Sequence, residues 1–269
     1  MKILATDLDR TLLPNGSWPA DQVAIEMFND LTEKHNVLVV YVTGRNLALS
    51  EEAIKQYGIR HPDVLIGDVG TSIRKYARTG WEADNGWDVH VKHTSPKWDA
   101  EAVRTAVAEM DGMIEQERVH CSPFKQSYYV DHDNHEVILK IVDDRVKGKY
   151  DEVIIYSYDS QSGDGLLDFL PKSATKQTAL EYIAREYDAG MDDVVFCGDS
   201  GNDIQPLTAG FCGVMVRNAD DQLVANVQKA LQEDPDLRIY HANGFGNLSG
   251  YYTSGVIEGA YHYGLFGDR

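Results

Sequence analysis

Positive charge is scarce in this chain of 269 residues. Lysine and arginine together number 25 against 43 aspartates and glutamates, which gives a formal net charge of −18 at pH 7. No run of basic residues concentrates the few cations, and a surface of this sign repels polyanions and anionic lipids. We therefore expect no nucleic-acid partner. An anionic substrate would need a local reversal of the field, for which a divalent cation held by carboxylates is the usual means.

Long apolar stretches and paired cysteines are also lacking. The longest apolar run, residues 37–42, is far shorter than the roughly 20 residues of a membrane-spanning helix. Acidic residues follow the first strand-like segment too soon for a signal peptide. The three cysteines are an odd number at wide spacing, which favours a reducing compartment: Cys121, Cys197 and Cys212. We expect a cytoplasmic protein without membrane attachment.

Short apolar runs alternate with segments of helical period in the first and last thirds of the chain. The predicted strands are residues 2–6, 37–42, 63–67, 193–197 and 211–216, and the predicted helices are residues 21–34, 46–57, 176–187 and 220–232. This alternation predicts an α/β fold, a Rossmann-like parallel sheet with helices on both faces. Its ligand site should lie at the carboxyl ends of the strands.

The middle of the chain has a different pattern of predicted strands and helices. It contains a helical pattern at residues 99–110, two β-like runs at residues 126–131 and 153–158, and helical spacing between residues 138 and 146. Both flanking thirds show the same alternation of predicted strands and helices. We therefore predict a discontinuous core, residues 1–81 and 171–269, with an inserted α+β cap at residues 82–170. The chain length agrees with two such units.

Two carboxylates follow the first predicted strand in the peptide Asp7-Leu8-Asp9-Arg10-Thr11. At positions i and i+2 past a strand end, Asp7 and Asp9 can converge on one site, where like charges require a cation or a shared proton. Taken alone, the pair also fits two solvated acids in a loop.

Three further segments stand at predicted strand or helix ends. Thr43 and Gly44 offer a hydroxyl and a backbone amide suited to a phosphate oxygen, although a helix cap and a turn glycine also explain them. Lys176 opens a helix, where a solvated lysine is ordinary. Two glycines and two acids within residues 198–203 are harder to explain by packing.

In this order and spacing, the four segments resemble the motifs of the haloacid dehalogenase-like superfamily of phosphotransferases. The resemblance implies that Asp7 is the nucleophile, forming an aspartyl phosphate, and that Asp9 is the general acid and base. Catalytic roles fall on Asp7, Asp9, Thr43 and Lys176. It implies Mg²⁺ at Asp7, Asp9 (through its carbonyl), Asp199 and Asp203, the last directly or through water. Phosphate oxygens would be bound by Asp7, Thr43, Gly44, Lys176 and Asn202.

Other stretches look like the corresponding parts of sucrose-phosphate phosphatases: residues 63–73, 124–128, 168–171, 195–204 and 252–260. This resemblance implies a small-molecule sugar phosphate as substrate, with a disaccharide phosphate such as sucrose 6-phosphate first. It implies sugar contacts from Arg45, Gly70, Thr71, Lys125, Ser127 and Tyr128. One departure is that residues 163–165 lack the lysine that the family carries before the segment at residues 168–171. Mannosylfructose phosphate and glucosylglycerate-type phosphates therefore remain open as substrates.

Three alternatives remain. One is a broad-specificity sugar or nucleotide phosphatase of the same superfamily, and another is a sugar-phosphate mutase. The third is a catalytically silent regulatory domain similar to those attached to sucrose-phosphate synthases, which the complete set of Asp7, Asp9, Lys176, Asp199 and Asp203 disfavours. Residues 131–136 are interpreted as a solvated turn that caps a helix, and residues 244–250 as a loop. The sequence does not indicate an oligomeric state.

Overall fold

Two sheets organise the protein in a computed structural model that describes residues 1–159 and 163–267. The first part of the chain forms β1 (Ile3–Thr6), α1 (Ala24–Lys34), β2 (Leu38–Val42), α2 (Leu47–Tyr57), β3 (Val64–Gly67), β4 (Ser72–Ala77), β5 (Gly80–Ala83) and α3 (Asn85–Thr94). The middle forms α4 (Ala100–Ala106), β6 (Met113–Glu115), β7 (Gln126–Val130), α5 (His135–Val146), β8 (Glu152–Asp159) and β9 (Asp164–Pro171). The last part forms α6 (Lys176–Glu186), β10 (Val194–Gly198), α7 (Ile204–Leu207), β11 (Cys212–Met215), α8 (Asp221–Glu233), β12 (Ile239–His241) and α9 (Thr253–His262).

The larger sheet has the strand order β12-β11-β10-β1-β2-β3-β4-β5. Its pairs from β12 to β3 are parallel, and β4 and β5 add antiparallel strands at one edge. The predicted α/β class with a parallel-sheet core is confirmed. The predicted core strands and helices are all present, and the largest shift of an end is at α1, which begins at Ala24 instead of residue 21.

Both faces of this sheet are buried, because successive side chains of each strand point to opposite sides. On β1, Leu4 faces the apolar cluster formed with α1, α2 and α9. Its neighbours Ile3 and Ala5 face the cluster formed with α3, α6, α7 and α8. A strand packed on both faces reads as a continuous apolar run, and this explains why the sequence pattern identified these strands.

The smaller sheet is antiparallel, with the order β6-β7-β9-β8. One of its faces packs on α4 and α5 through an apolar cluster of its own, to which Tyr128 and Val130 of β7 and Phe169 of β9 contribute. The opposite face of β7 and β9 contributes to a cleft above the carboxyl ends of β1 and β2. The insertion therefore forms a roof over the strand ends that carry the sequence motifs.

The insertion begins later than residue 82. Residues Gly80–Ala83 form β5 of the large sheet, and Trp87 and Val91 of α3 are buried in the core cluster with α6. Trp87 therefore belongs to the core, where its buried indole fills space against the large sheet. We propose that the insertion spans residues 99–170.

Candidate active site

A cleft of about 410 Å³ lies between the two sheets. The core contributes Asp7, Asp9, Arg10, Asn15, Gly44, Arg45, Leu49, Val69, Ser200 and Asn202 to its wall. The insertion contributes Gln116, His120, Lys125, Tyr129, Ser157, Tyr158, Leu166 and Asp168. The floor is charged and the roof mixes aromatic and polar side chains, a combination that suits a ligand with an anionic end and a polyol end.

Asp7 stands at the centre of the floor. It follows β1, the strand between β10 and β2, and its N–H donates to the carbonyl of Cys197 at 2.9 Å, which continues the sheet ladder by one residue. The carboxylate is 5% exposed and lines the cleft. The central strand thus presents one buried acid where the loops of its neighbours meet, as expected for the ligand site of a parallel sheet.

Lys176 anchors this acid from behind. Thr175 caps α6, since its hydroxyl accepts from the N–H of Thr178, and Lys176 is the first residue of the helix. The buried ammonium donates to Asp7 Oδ1 at 2.8 Å, Asp203 Oδ1 at 2.7 Å and Asn202 Oδ1 at 2.8 Å. An ammonium has three protons, so these bonds use them all. Lys176 therefore holds Asp7, Asn202 and Asp203 together.

Asp203 and Asp199 come from the loop after β10. The second oxygen of Asp203 accepts from the N–H groups of Asp199 at 3.1 Å and Ser200 at 3.2 Å, which shapes the loop. Asp199 accepts from the Thr11 hydroxyl at 3.0 Å, and its other oxygen lies 3.2 Å from Arg10 Nε.

Asp7, Asp199 and Asp203 form a cluster that could hold a divalent cation. One carboxylate oxygen of each lies within 4.8 Å of the others, and all three residues are buried. Oxygen ligands of this kind match the preference of Mg²⁺. The Asp9 carboxylate is not part of the cluster, which agrees with the implied role of its carbonyl, not its side chain, toward a metal.

Two buried carboxylates of the cluster have raised pKa values. Burial raises the pKa of Asp7 to about 7, against the opposing effect of Lys176. Burial also raises the pKa of Asp199 well above its usual range, although Arg10 opposes the shift. Three buried carboxylates with fewer neighbouring cations favour either a proton or a metal ion.

The raised pKa of Asp7 predicts a pH effect on stability. In chelator, between about pH 4 and 7, the folded protein binds a proton at Asp7 that the unfolded chain has released, so the contribution of Asp7 to stability falls as pH rises. Asp7→Asn lacks this titration. Its free energy of unfolding, minus that of the wild type, should grow from pH 4.5 to 7 and then level off in urea titrations. A difference that stays constant over this range would contradict the assignment.

Asp9 is clamped on the cleft wall. Arg45 donates to it twice, Nε to Oδ2 at 2.8 Å and Nη2 to Oδ1 at 2.7 Å, and Asn15 Nδ2 donates to Oδ1 at 2.7 Å. Burial opposes the charge of Asp9, but the hydrogen bonds prevail and lower its pKa. Arg45, predicted to contact sugar, is therefore occupied with Asp9 and with the carbonyl of Leu49.

Thr43 and Gly44 follow β2 beside this clamp. Thr43 is fully buried, and its hydroxyl oxygen accepts from the N–H of Arg45 at 3.1 Å. Gly44 lines the cleft. Of this segment, therefore, Gly44 reaches the cleft surface, while Thr43 lies behind it and supports the turn.

Gly70 and Thr71, predicted as sugar contacts, do not line the cleft. Gly70 has a φ of +105°, and a Cβ there would lie 2.2 Å from the carbonyl carbon of Thr175. The glycine thus lets the chain approach the start of α6, directly before Lys176. Thr71 is buried and its hydroxyl donates to the carbonyl of Asp68. Both residues shape the loop, while Val69 beside them lines the cleft, and the sugar contacts of Gly70 and Thr71 stay predictions.

Strand alternation separates the residues predicted on β7. Lys125 lines the cleft, and its Nζ lies 3.7 Å from Asp168 Oδ1. Ser127 points the same way but is buried, and its hydroxyl donates to Asp168. Tyr128 points to the opposite face and packs against Phe169 in the cluster with α4 and α5. The side chain of Tyr128 therefore lies away from the cleft, which its neighbour Tyr129 lines.

Sequence reasoning missed several cleft residues. On the insertion these are Gln116, His120, Tyr129, Ser157 and Tyr158, and on the core Arg10, Asn15 and Val69. Arg10 stands inside the first motif, which was a signal for it. The two-residue period of β7 could have shown that Tyr129 and Lys125 share a face, once the strand register was fixed. The others depend on how the two units meet, which no local pattern encodes.

The fold and the site define a haloacid dehalogenase-like phosphatase, a class of phosphoric monoester hydrolases. The profile of the sucrose-6F-phosphate phosphohydrolase family matches residues 1–264, and the chain belongs to this family. The resemblance that the sequence motifs indicated is thereby confirmed.

Individual relatives agree with this membership. Sucrose-phosphatase 1 of Nicotiana tabacum is 29% identical over 271 residues, which cover 98% of this chain and 59% of the plant protein, so this chain spans little more than half of it. Mannosylfructose-phosphate phosphatase of Agrobacterium fabrum is 26% identical, and the alignment covers 98% of this chain and 98% of that protein. The structure of the sucrose-phosphatase from Synechocystis sp. PCC6803, in complex with sucrose and phosphate, aligns with a TM-score of 0.79 at 26% identity and 97% coverage of each chain.

Proposed function

We propose that the protein is a Mg²⁺-dependent phosphatase that hydrolyses a disaccharide phosphate through an aspartyl phosphate on Asp7. The observation that carries this proposal is the placement of the Asp7 carboxylate. It lies on the cleft floor, bonded to Lys176 at 2.8 Å, within the cluster of Asp199 and Asp203, with Asp9 on the same cleft wall. The proposed nucleophile and the proposed proton carrier thus line one cavity, and the other two acids of the proposed cation site lie beside Asp7.

In the proposed reaction, a carboxylate oxygen of Asp7 attacks phosphorus while the bond from phosphorus to the sugar oxygen breaks. Asp9 gives its proton to the departing sugar oxygen. Water then attacks the phosphorus of the aspartyl phosphate, Asp9 takes a proton from that water, and phosphate leaves with Asp7 restored. Mg²⁺ at Asp7, Asp199 and Asp203 would supply charge neutralisation for the phosphoryl group. Asn202 and the Gly44 amide would orient the phosphate oxygens, and Lys176 would hold Asp7 and Asn202 in place beside them.

The clamp on Asp9 sets a condition on this reaction. Arg45 and Asn15 lower the pKa of Asp9 and so favour the carboxylate over the acid. Asp9 can donate a proton only after these bonds loosen. We infer that substrate in the cleft competes for Arg45, which connects its observed bonds to Asp9 with its predicted contact to the sugar.

The roof supports a substrate larger than a monosaccharide phosphate. Tyr129, Tyr158 and Leu166 provide apolar surface across the cleft from Asp7, and Lys125 with Asp168 provides charged and hydrogen-bonding groups. Sugars bind to such surfaces through ring faces and hydroxyl groups. The relatives act, by their names, on sucrose phosphate and mannosylfructose phosphate.

Phosphate release from a panel of substrates tests the proposal. The purified protein should hydrolyse sucrose 6-phosphate or mannosylfructose phosphate at least about ten-fold faster, by kcat/KM, than glucose 6-phosphate and nucleoside monophosphates, and chelator should stop the reaction. Equal rates across the panel would instead support a broad-specificity phosphatase. Isomerised sugar phosphate without free phosphate would indicate a mutase.

Neighbouring tyrosines provide a matched test of the sugar side. Tyr129→Ala should lower kcat/KM for the disaccharide phosphate roughly ten-fold by removing cleft surface, while phosphate release from a small ester changes little. Tyr128→Phe should leave both the kinetics and the melting temperature near wild type, because its hydroxyl is buried without a hydrogen-bond partner among the described residues. Equal effects of the two variants on kcat/KM would show that the cleft assignment is wrong.

The cellular compartment remains a prediction. No helix in the described ranges, 1–159 and 163–267, has the length and apolar character to cross a membrane. All three cysteines are free thiols. We propose a cytoplasmic enzyme on the basis of the cysteine pattern, and fractionation of the source cells with antibody detection would test it.

A further inference from the structure

Arg10 is a charged residue of the first motif that the proposed reaction does not use. Its side chain lines the cleft, and its Nε lies 3.2 Å from Asp199 Oδ2. Among the described residues, it is the cation within ion-pair distance of Asp199. A buried carboxylate of the metal-binding cluster is therefore paired with a guanidinium.

The backbone holds Arg10 in this position. Its φ of +58° lies in the left-handed region, which a side chain of this size rarely adopts. The N–H donates to Asn15 Oδ1 at 2.7 Å, and the carbonyl accepts from Asn218 Nδ2 at 2.6 Å. Bonds on both sides of the residue thus maintain a backbone conformation that brings the guanidinium to Asp199.

Charge explains why Asp199 needs such a partner. Lys176 cannot serve it, because its three protons go to Asp7, Asn202 and Asp203. Asp199 is 1% exposed, so water does not compensate its charge. An unpaired buried carboxylate is costly, and Arg10 provides part of the missing positive charge.

A metal ion and Arg10 compete for the same carboxylate. One oxygen of Asp199 accepts from Thr11 and the other faces Arg10, so an ion ligated by Asp199 would lie close to one of these partners. Thr11 is neutral, whereas Arg10 carries a charge of the same sign as the ion. Repulsion therefore acts on Arg10, whose partly exposed side chain can turn into the cleft.

We propose that Arg10 is an internal substitute for the divalent cation. It offsets part of the negative charge around Asp199 in the metal-free protein and moves away from Asp199 when the ion binds, so that its guanidinium turns toward the cleft. This inference rests on the proposed Mg²⁺ site. Arg10 therefore stabilises the metal-free protein and weakens metal binding. A single side chain thus couples the stability of the metal-free protein to its affinity for the metal ion.

Mg²⁺ titration of full-length Arg10→Gln by isothermal calorimetry tests the proposal without substrate. The variant should bind Mg²⁺ roughly five-fold or more tightly than the wild type. Its melting temperature should be lower than that of the wild type in chelator, and saturating Mg²⁺ should raise it by a larger increment. Arg10→Lys, which retains the charge, should bind Mg²⁺ close to wild-type affinity.

A matched control is Arg60→Gln, which removes the same charge beside Asp63 on the surface and should leave Mg²⁺ affinity unchanged. Equal or weaker Mg²⁺ binding by Arg10→Gln would overturn the role of Arg10 while leaving the metal site intact. A wild-type protein that binds no Mg²⁺ would overturn the proposed function and this inference together. If Arg10→Gln does not fold, Arg10→Lys and Arg10→Met are compared in the same titration, and equal affinities would again overturn the role.

Discussion

Asp7→Asn is expected to lose phosphate release by roughly four orders of magnitude or more, as removal of a covalent nucleophile does. The amide is nearly the same size as the carboxylate but cannot attack phosphorus at a useful rate. The fold should persist, since the variant removes a buried carboxylate whose raised pKa shows that its charge is disfavoured in the metal-free protein. Steady-state phosphate release and thermal melting in chelator measure the two effects separately.

Asp88→Asn is the matched control for this change. Asp88 is an exposed residue of α3, on the core but outside the cleft lining, and its replacement should leave turnover at the wild-type rate. Retention of more than about 1% of wild-type turnover by Asp7→Asn would reject Asp7 as the nucleophile.

Lys176→Met should affect both catalysis and stability. The side chain is 1% exposed and joins Asp7, Asn202 and Asp203. Removing one partner of a buried ion pair costs about 3–5 kcal/mol, because the remaining charges lie in a medium that solvates them poorly. Phosphate release should fall at least roughly a thousand-fold, since Asp7 loses its positioning bond and the phosphate loses a cation. Urea unfolding and phosphate release measure these effects.

Lys172→Met provides the comparison, since Lys172 is an exposed lysine at the end of β9 that pairs with Asp151 on the surface. Exposed pairs contribute little, so the free energy of unfolding should change far less than in Lys176→Met, and turnover should be unaffected. A similar loss of stability in both variants would contradict the account of the buried network.

Much of the core could be predicted because its signals are local. Strands such as β1 and β2 are buried on both faces and appear in sequence as apolar runs, and the helices between them carry one apolar stripe. The boundary of the insertion could not be predicted in this way. The β4–β5 hairpin and α3 complete the core sheet through contacts with residues about a hundred positions away, such as that of Trp87 with Tyr182.

In the candidate site, too, some residues could be predicted from local signals and others depend on contacts with distant parts of the chain. Asp7, Lys176, Asp199 and Asp203 stand at strand or helix ends, where topology alone brings them together. Tyr128 and Tyr129 are chemically alike, and only the register of β7 decides which of them faces the cleft. Gly70 looked like a ligand contact, but its role depends on the close approach of Thr175 from a distant part of the chain.

Part of the acidic surplus of the chain lies in the candidate site. Asp7 on the cleft floor and the buried Asp199 and Asp203 beside it gather negative charge, and Lys176 and Arg10 offset it in part. A divalent cation would reverse the sign of the field at the point where a phosphate has to approach. The protein can therefore carry a net charge of −18 and still bind an anion.

Acid quenching during turnover would trap the proposed aspartyl phosphate on Asp7. The wild-type protein, mixed with Mg²⁺ and the disaccharide phosphate that it hydrolyses fastest, labelled with ³²P, is denatured within milliseconds and counted for protein-bound label. We expect label on the wild-type protein that hydroxylamine releases, as for an acyl phosphate, and none on Asp7→Asn. Equal labelling of Asp7→Asn, or turnover by that variant at the wild-type rate, would show that Asp7 does not form the intermediate.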